Sequence, residues 1–247
     1  MSRTGLRIRL IVAGLLGVLA VGVIASASAE PPPPSSCMSV GTPSYCIAGV
    51  PLVSASENVE GTSGSAILKA TIGGVTAEIK CASGKSAGFI EGGVAGAVGK
   101  SKTKITFETC KLLAPEHCKL TSAEETKIKT TELIGGLELT GGKILDKLEP
   151  KSGSAFASIG IEGETTSCVI AEPAKPVIYN VTGSQLCEVD SSKTEAETEA
   201  EKHKLICKAS GSTNLRIGGN PVEISDETMA VELSGAKAHG HWSVKET

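Results

Sequence analysis

Four short patterns in the chain could carry chemistry. Gly84-Lys85-Ser86-Ala87-Gly88 spells G-x-S-x-G, which in hydrolases holds a serine nucleophile on a sharp strand-to-helix turn. Here a Gly/Ala-rich run stands where the helix must begin, so Ser86 is not assigned as a nucleophile. Gly99-Lys100-Ser101 matches the end of a phosphate-binding loop, but the earlier glycine that loop requires would fall at Val94. His239-Gly240-His241 can turn two imidazoles to one face of a strand, a metal-ligand spacing without a third ligand nearby. Glu195, Glu197, Glu199 and Glu201 alternate with Ala196, Thr198 and Ala200. Calcium loops draw on Asp, Asn and backbone carbonyls in a tight turn, so this acidic run reads as a solvated edge.

Other candidates are weaker. Asn180-Val181-Thr182 is a glycosylation sequon by pattern, set in a strand-like run. His117 and His203 have no catalytic setting. Glycoside hydrolysis needs two facing carboxylates, and nothing in the order of 27 acidic residues selects a pair. No catalytic residue, cofactor or metal ligand is therefore assigned.

The totals exclude one class of partner. Net charge is −3, and removal of Arg3, Arg7 and Arg9 with a leader makes it −6. The aromatic side chains are Tyr45, Phe89, Phe107, Phe156, Tyr179 and Trp242. Nucleic-acid binding calls for basic surface and stacking rings, so that class is set aside. The core must be built from Ile, Val, Leu and Ala.

Residues 1–29 read as a signal peptide. They hold a positive start, an apolar run from Leu10 to Ala25, and Ala27-Ser28-Ala29 before Glu30. No membrane span is expected once it is cleaved. Residues 30–49 then form a tether, Pro31 to Pro34, and an irregular arm; the segment to about Gly64 shows little periodicity. Residues 50–247 are expected to fold as one extracellular β-rich domain.

Its clearest unit is Ser65 to Cys81, two apolar-rich runs meeting at Gly73-Gly74. Val75, Ala77, Ile79 and Cys81 share one face, and Thr76, Glu78 and Lys80 the other. Further strands are expected around Phe89-Ile90, Thr103–Thr109, Leu137–Leu139, Ala155–Glu162, Val177–Thr182, His203–Lys208, Leu215–Ile217, Val222–Ile224 and Met229–Leu233. Ile-Gly-Gly recurs at Ile72, Ile134 and Ile217 at intervals of 62 and 83 residues, which is reuse of one turn and no repeat. Short strands between glycine-rich turns indicate an all-β fold, an antiparallel β-sandwich or barrel.

Eight cysteines in an exported chain imply four disulfides. Cys81 and Cys110 each close a strand, and if those strands are antiparallel neighbours their ends lie at opposite edges. Cys110 is accordingly expected with Cys118, and Cys37 with Cys46. Cys168 with Cys187 and Cys81 with Cys207 complete the set.

The runs GSAILKATIGGVTAEIKC, KITFETC and LICKASGSTNLRIGGNP, with Trp242, resemble a group of secreted proteins of high-GC Gram-positive bacteria for which no activity is established. The resemblance implies secretion and a β-rich fold, and lends no catalytic residue. The function expected is a non-enzymatic binding or structural module of the cell envelope, with an extracellular or cell-wall partner. The alternatives are a secreted hydrolase using loop carboxylates and histidines, or an inhibitor presenting a Cys110–Cys118 loop. A hydrolase requires a deep pocket with converging carboxylates or histidines. A binding module requires an apolar patch or an unpaired strand edge, and an inhibitor a protruding braced loop.

Overall fold

The computed structural model describes residues 42–93, 97–121, 126–189, 202–207, 214–225 and 227–246, all within one compact unit, 32–247. The expected signal peptide, the proline tether, Cys37 and the acidic run Glu195–Glu201 lie outside the described residues.

Alternation of inward and outward side chains produces strands almost throughout. They are β1 (Pro43–Ile47), β2 (Val50–Pro51), β3 (Ser56–Ser63), β4 (Ala66–Ile72), β5 (Val75–Cys81), β6 (Ser83–Glu91) and β7 (Lys100–Glu108). Next come β8 (Lys111–Ala114), β9 (Cys118–Thr121), β10 (Ile128–Lys129), β11 (Leu133–Thr140), β12 (Lys143–Pro150) and β13 (Ala155–Gly163). The last are β14 (Val177–Thr182), β15 (Gln185–Val189), β16 (Lys202–Cys207), β17 (Arg216–Ile217), β18 (Asn220–Ser225), β19 (Glu227–Leu233) and β20 (Trp242–Glu246).

Two cylinders stack end to end. In the upper one, β3, β6, β7, β11, β12, β15, β16 and β19 follow one another around a closed antiparallel ring, with β10 laid against β7. In the lower one the order is β4, β5, β8, β9, β13, β14, β17, β18 and back to β4, every neighbour laddered except β8 with β9. The orders match because the chain passes directly from one storey into the other: β3 into β4, β5 into β6, β7 into β8, β12 into β13, β14 into β15 and β18 into β19. Sandwich or barrel is thus resolved as barrel, an up-and-down meander of eight long paths.

The expected Ser65–Cys81 hairpin is β4–β5, with Gly73 and Gly74 at φ 58° and 82°, the mirror-image turn that suits strand twist. Ala77, Ile79 and Cys81 are buried, as the alternation required. Ile-Gly-Gly behaves the same way at Gly218-Gly219 but not at Gly135-Gly136, which lies inside β11. There glycine answers a packing demand. A Cβ on Gly135 would stand 1.9 Å from Ser101 Oγ and 2.3 Å from Asp146 Oδ1.

The segment before Gly64, expected to be irregular, carries three strands. β1 pairs with β20 at the other end of the chain and forms, with β2, a small sheet. Its Tyr45 and Cys46 are buried, as are Trp242 and Val244 of β20. Local periodicity missed this strand because its partner lies about 200 residues away.

Three of the expected disulfides are corrected. The bridges are Cys81–Cys110, Cys118–Cys168 and Cys187–Cys207, so Cys110–Cys118, Cys168–Cys187 and Cys81–Cys207 do not form. The error lay in taking β5 and β7 as neighbours. β6 starts beside Cys81 and runs antiparallel to β7, so its first residue, Ser83, faces Glu108 and Cys81 meets Cys110. Cys187 and Cys207 face each other directly across β15 and β16. Cys46 is also disulfide-bonded; its expected partner, Cys37, is outside the described residues.

The interior is one apolar cluster reaching from Ile72, Ala77 and Ile79 below to Tyr45, Leu137 and Trp242 above. The outer wall carries ion pairs between directly opposed residues, Lys69–Glu78 at 3.0 Å, Lys119–Glu162 at 2.9 Å and Lys202–Glu232 at 3.0 Å. Each contributes little to stability. Among the described residues no helix is long and apolar enough to cross a membrane.

The two glycines of β11 should separate cleanly on substitution. Gly135→Ala is expected to cost about 1–3 kcal/mol by overpacking, read as a lower urea midpoint. Gly136→Ala, whose Cβ would meet nothing within 4 Å, should stay within about 0.5 kcal/mol of the parent.

Candidate functional site

The polar groups with no counterpart on the outer wall lie inside the upper barrel. Asp146 of β12, Cys187 of β15, Cys207 of β16 and Glu227 of β19 occupy one register row across four neighbouring strands. All four are buried, so two carboxyl groups flank the Cys187–Cys207 bridge on the inner wall.

Each carboxyl is half satisfied. Ser101 Oγ donates to Asp146 Oδ2 at 2.9 Å, and the Tyr45 hydroxyl also bonds this group. Asp146 Oδ1 has no partner. Gln185 Nε2 donates to Glu227 Oε2 at 3.0 Å, and Glu227 Oε1 is likewise unpartnered. Burial dominates both: it raises Asp146 to about 6 against its bonds from Ser101 and Tyr45, and Glu227 to about 7 against its bond from Gln185. Burial also raises Tyr45 well above the usual phenol range, with the Asp146 charge acting in the same direction.

The small β1–β2–β20 sheet supplies the aromatic side chains that reach this interior. Tyr45 and Trp242 have ring centroids 6.2 Å apart. The Trp242 indole N–H donates to the Val231 carbonyl at 3.3 Å. His203 Nε2 lies 2.6 Å from the Trp242 carbonyl oxygen, and its ring meets the indole edge-on with centroids 4.5 Å apart.

Little space remains. A cavity of about 40 Å³ is lined by Tyr45, Asp146, Cys187, Glu227 and Trp242, and a second of about 50 Å³ below by Ile79, Phe156, Gln185, Leu215 and Glu227. Small-molecule pockets run from roughly 300 Å³ upward. The carboxyls can hold protons; the space beside them has no room for an organic substrate.

The larger hollows lie on the outer wall. One of about 550 Å³ crosses β7, β11 and β12, and its charges are largely paired, Lys102 with Glu91 at 4.0 Å and Lys147 with Glu149 at 3.6 Å. Another of about 440 Å³ follows the boundary of β8 and β9, lined by Lys111, Leu112, Leu120, Thr121 and Glu162.

The sequence motifs are scattered by the fold. Ser86 lies within strand β6, with no turn and no helix after it. Lys100 and Ser101 are in β7, where Ser101 is the buried donor to Asp146. His239 and His241 sit in the loop before β20, and among the described residues no group of three or more His, Cys, Asp or Glu side chains is placed to hold a metal. Asn180 is exposed on β14 and accepts a bond from Ser158 Oγ at 2.8 Å. The residues from Cys110 to Cys118 are no braced loop, since the two cysteines bond elsewhere and β8 occupies most of the interval.

Asp146 and Glu227 are not singled out in sequence and His203 is set aside there, yet a signal is present. Asp146 alternates with Ile144 and Leu148, Glu227 with Met229, Val231 and Leu233, and His203 with Leu205 and Cys207. A polar residue on the apolar phase of a strand marks a buried polar group. Comparison with protein-family models, with curated proteins and with solved structures finds no match for the chain.

The raised acids set a pH dependence. Folded, both groups hold their proton to higher pH than the unfolded chain does, so their contribution is full in acid and is lost as pH rises from the ordinary carboxylate range through about 6 for Asp146 and about 7 for Glu227. Unfolding free energies from urea titration should therefore fall between pH 5 and pH 8, by on the order of 1–3 kcal/mol per group. Glu227→Gln should flatten the part of that curve near pH 7; an unaltered curve would show that Glu227 does not titrate there.

Proposed function

We propose that the protein is a non-enzymatic, exported module of the cell envelope that binds through its outer wall. The observation that carries this reading is the closed interior. The carboxyls with raised pKa values and unpartnered oxygens face cavities of about 40 and 50 Å³, where a substrate cannot reach them. Among the described residues, hollows of about 550 and 440 Å³ lie on the outer wall, and the Lys102–Glu91, Lys147–Glu149 and Lys119–Glu162 ion pairs engage acids that line them.

Export is supported by the signal-peptide pattern of residues 1–29 and by the disulfides Cys81–Cys110, Cys118–Cys168 and Cys187–Cys207. Disulfides persist outside the reducing cytosol. A rigid, disulfide-tied cylinder with a polar exterior suits display or docking in that setting.

The test is sedimentation of the purified protein with the envelope fraction of its own cells. Saturable binding is expected, unchanged by Asp146→Asn or Glu227→Gln. Absence of saturable binding, or hydrolysis of envelope material that either substitution abolishes, would overturn the reading.

A further inference from the structure

The two interior acids carry a hydrogen-bonding demand that no protein group meets. Asp146 and Glu227 are 4% and 2% exposed, and each engages one carboxyl oxygen while the other has no partner. Native interiors pair nearly all such groups, because an oxygen stripped of water and left unbonded is costly. Both residues stand on the inward faces of β12 and β19 in the closed upper ring, so neither oxygen reaches bulk solvent.

There is room beside them. Both residues line the upper cavity of about 40 Å³, and Glu227 also lines the lower one of about 50 Å³. A single water needs roughly 10–15 Å³ of such room and two to four polar partners. The upper cavity offers Tyr45, Ser101, Asp146 and Glu227, and the lower one Thr130, Gln185 and Glu227. Wholly aliphatic cavities stay dry; here the acids interrupt the aliphatic lining.

The protons decide what can sit there. Gln185 Nε2 can only donate, so a protonated Glu227 carries its O–H on Oε1 and requires an acceptor there. Once Glu227 is ionised, the same atom requires a donor. Asp146 Oδ1 is placed alike, since the Ser101 hydroxyl occupies Oδ2. A cation cannot accept from an O–H, and an anion is repelled by a carboxylate. The occupant must be neutral, must both donate and accept, and must fit a few tens of cubic ångströms.

We infer that this interior is a hydrated site: one ordered water bonds Asp146 Oδ1 in the upper cavity, and another bonds Glu227 Oε1 where the two cavities flank it. These waters complete the hydrogen bonding of the acids on either side of the Cys187–Cys207 bridge. They belong to the fold, and the site holds them whether or not the outer wall binds an envelope partner.

The test is a crystal structure of the full protein at atomic resolution. It is paired with water deuteron relaxation dispersion in solution, which counts waters held longer than the molecule takes to tumble. Density for a water is expected about 2.5–3.2 Å from Asp146 Oδ1 and from Glu227 Oε1. The double variant Gln185→Met/Glu227→Met replaces the hydrogen-bonded pair with apolar side chains of similar length and should lose one long-lived water. Asp146→Asn keeps a group able to bond at the Oδ1 position and should lose none. Missing density at either oxygen, an orphan oxygen bonded to a protein group instead, or a dispersion amplitude unmoved by the double variant would each overturn the inference. The crystal measurement requires no variant, so it stays decisive even where the double variant fails to fold.

Discussion

The structure depends on ring closure. A strand whose inward face is aliphatic cannot bury that face alone, and an open sheet leaves two edges exposed to solvent. Here the upper ring closes through the pairing of β6 with β7 and of β3 with β6, and every inward side chain of both storeys enters one shared interior. With so few aromatic rings, that interior is built from many Ile, Val, Leu and Ala side chains. Continuity of the ladder is what brings enough of them together. Breaking it anywhere in the upper ring would expose apolar surface in both storeys at once.

Closure also explains the unusual electrostatics inside. Asp146 and Glu227 hold inward positions because strand alternation leaves them no other direction, not because ion partners await them. A charge there would be costly, so the groups keep their protons and settle for single hydrogen bonds from Ser101 and Gln185 together with the Tyr45 contact. Such groups elsewhere often signal catalysis. In this barrel the groups with that property border cavities of only about 40 and 50 Å³.

Two of the three described disulfides act on the lower storey and the joint between storeys, while Cys187–Cys207 crosses β15 and β16 in the upper ring. Cys81–Cys110 ties the end of β5 to the point where β7 passes into β8, and Cys118–Cys168 ties β9 to the loop after β13. These cross-links flank the β8–β9 boundary, which carries no hydrogen-bonded ladder among the described residues.

Much of this was legible in the chain, and the division has a physical cause. Period-two alternation and paired glycines are local properties, so the all-β class, the β4–β5 hairpin and the buried faces of β5, β7 and β19 could be read directly. The buried acids were legible by the same phase rule, though the chemistry-bearing motifs Ser86 and His239/His241 drew attention first. Which strands are neighbours is not a local property. The pairing of β1 with β20, the insertion of β6 between β5 and β7 that set the cysteine partners, and the role of Gly135 beneath Ser101 and Asp146 arise only when distant segments share a wall. Alternation tells a side chain which face it takes; only closure of the ring decides what it meets there.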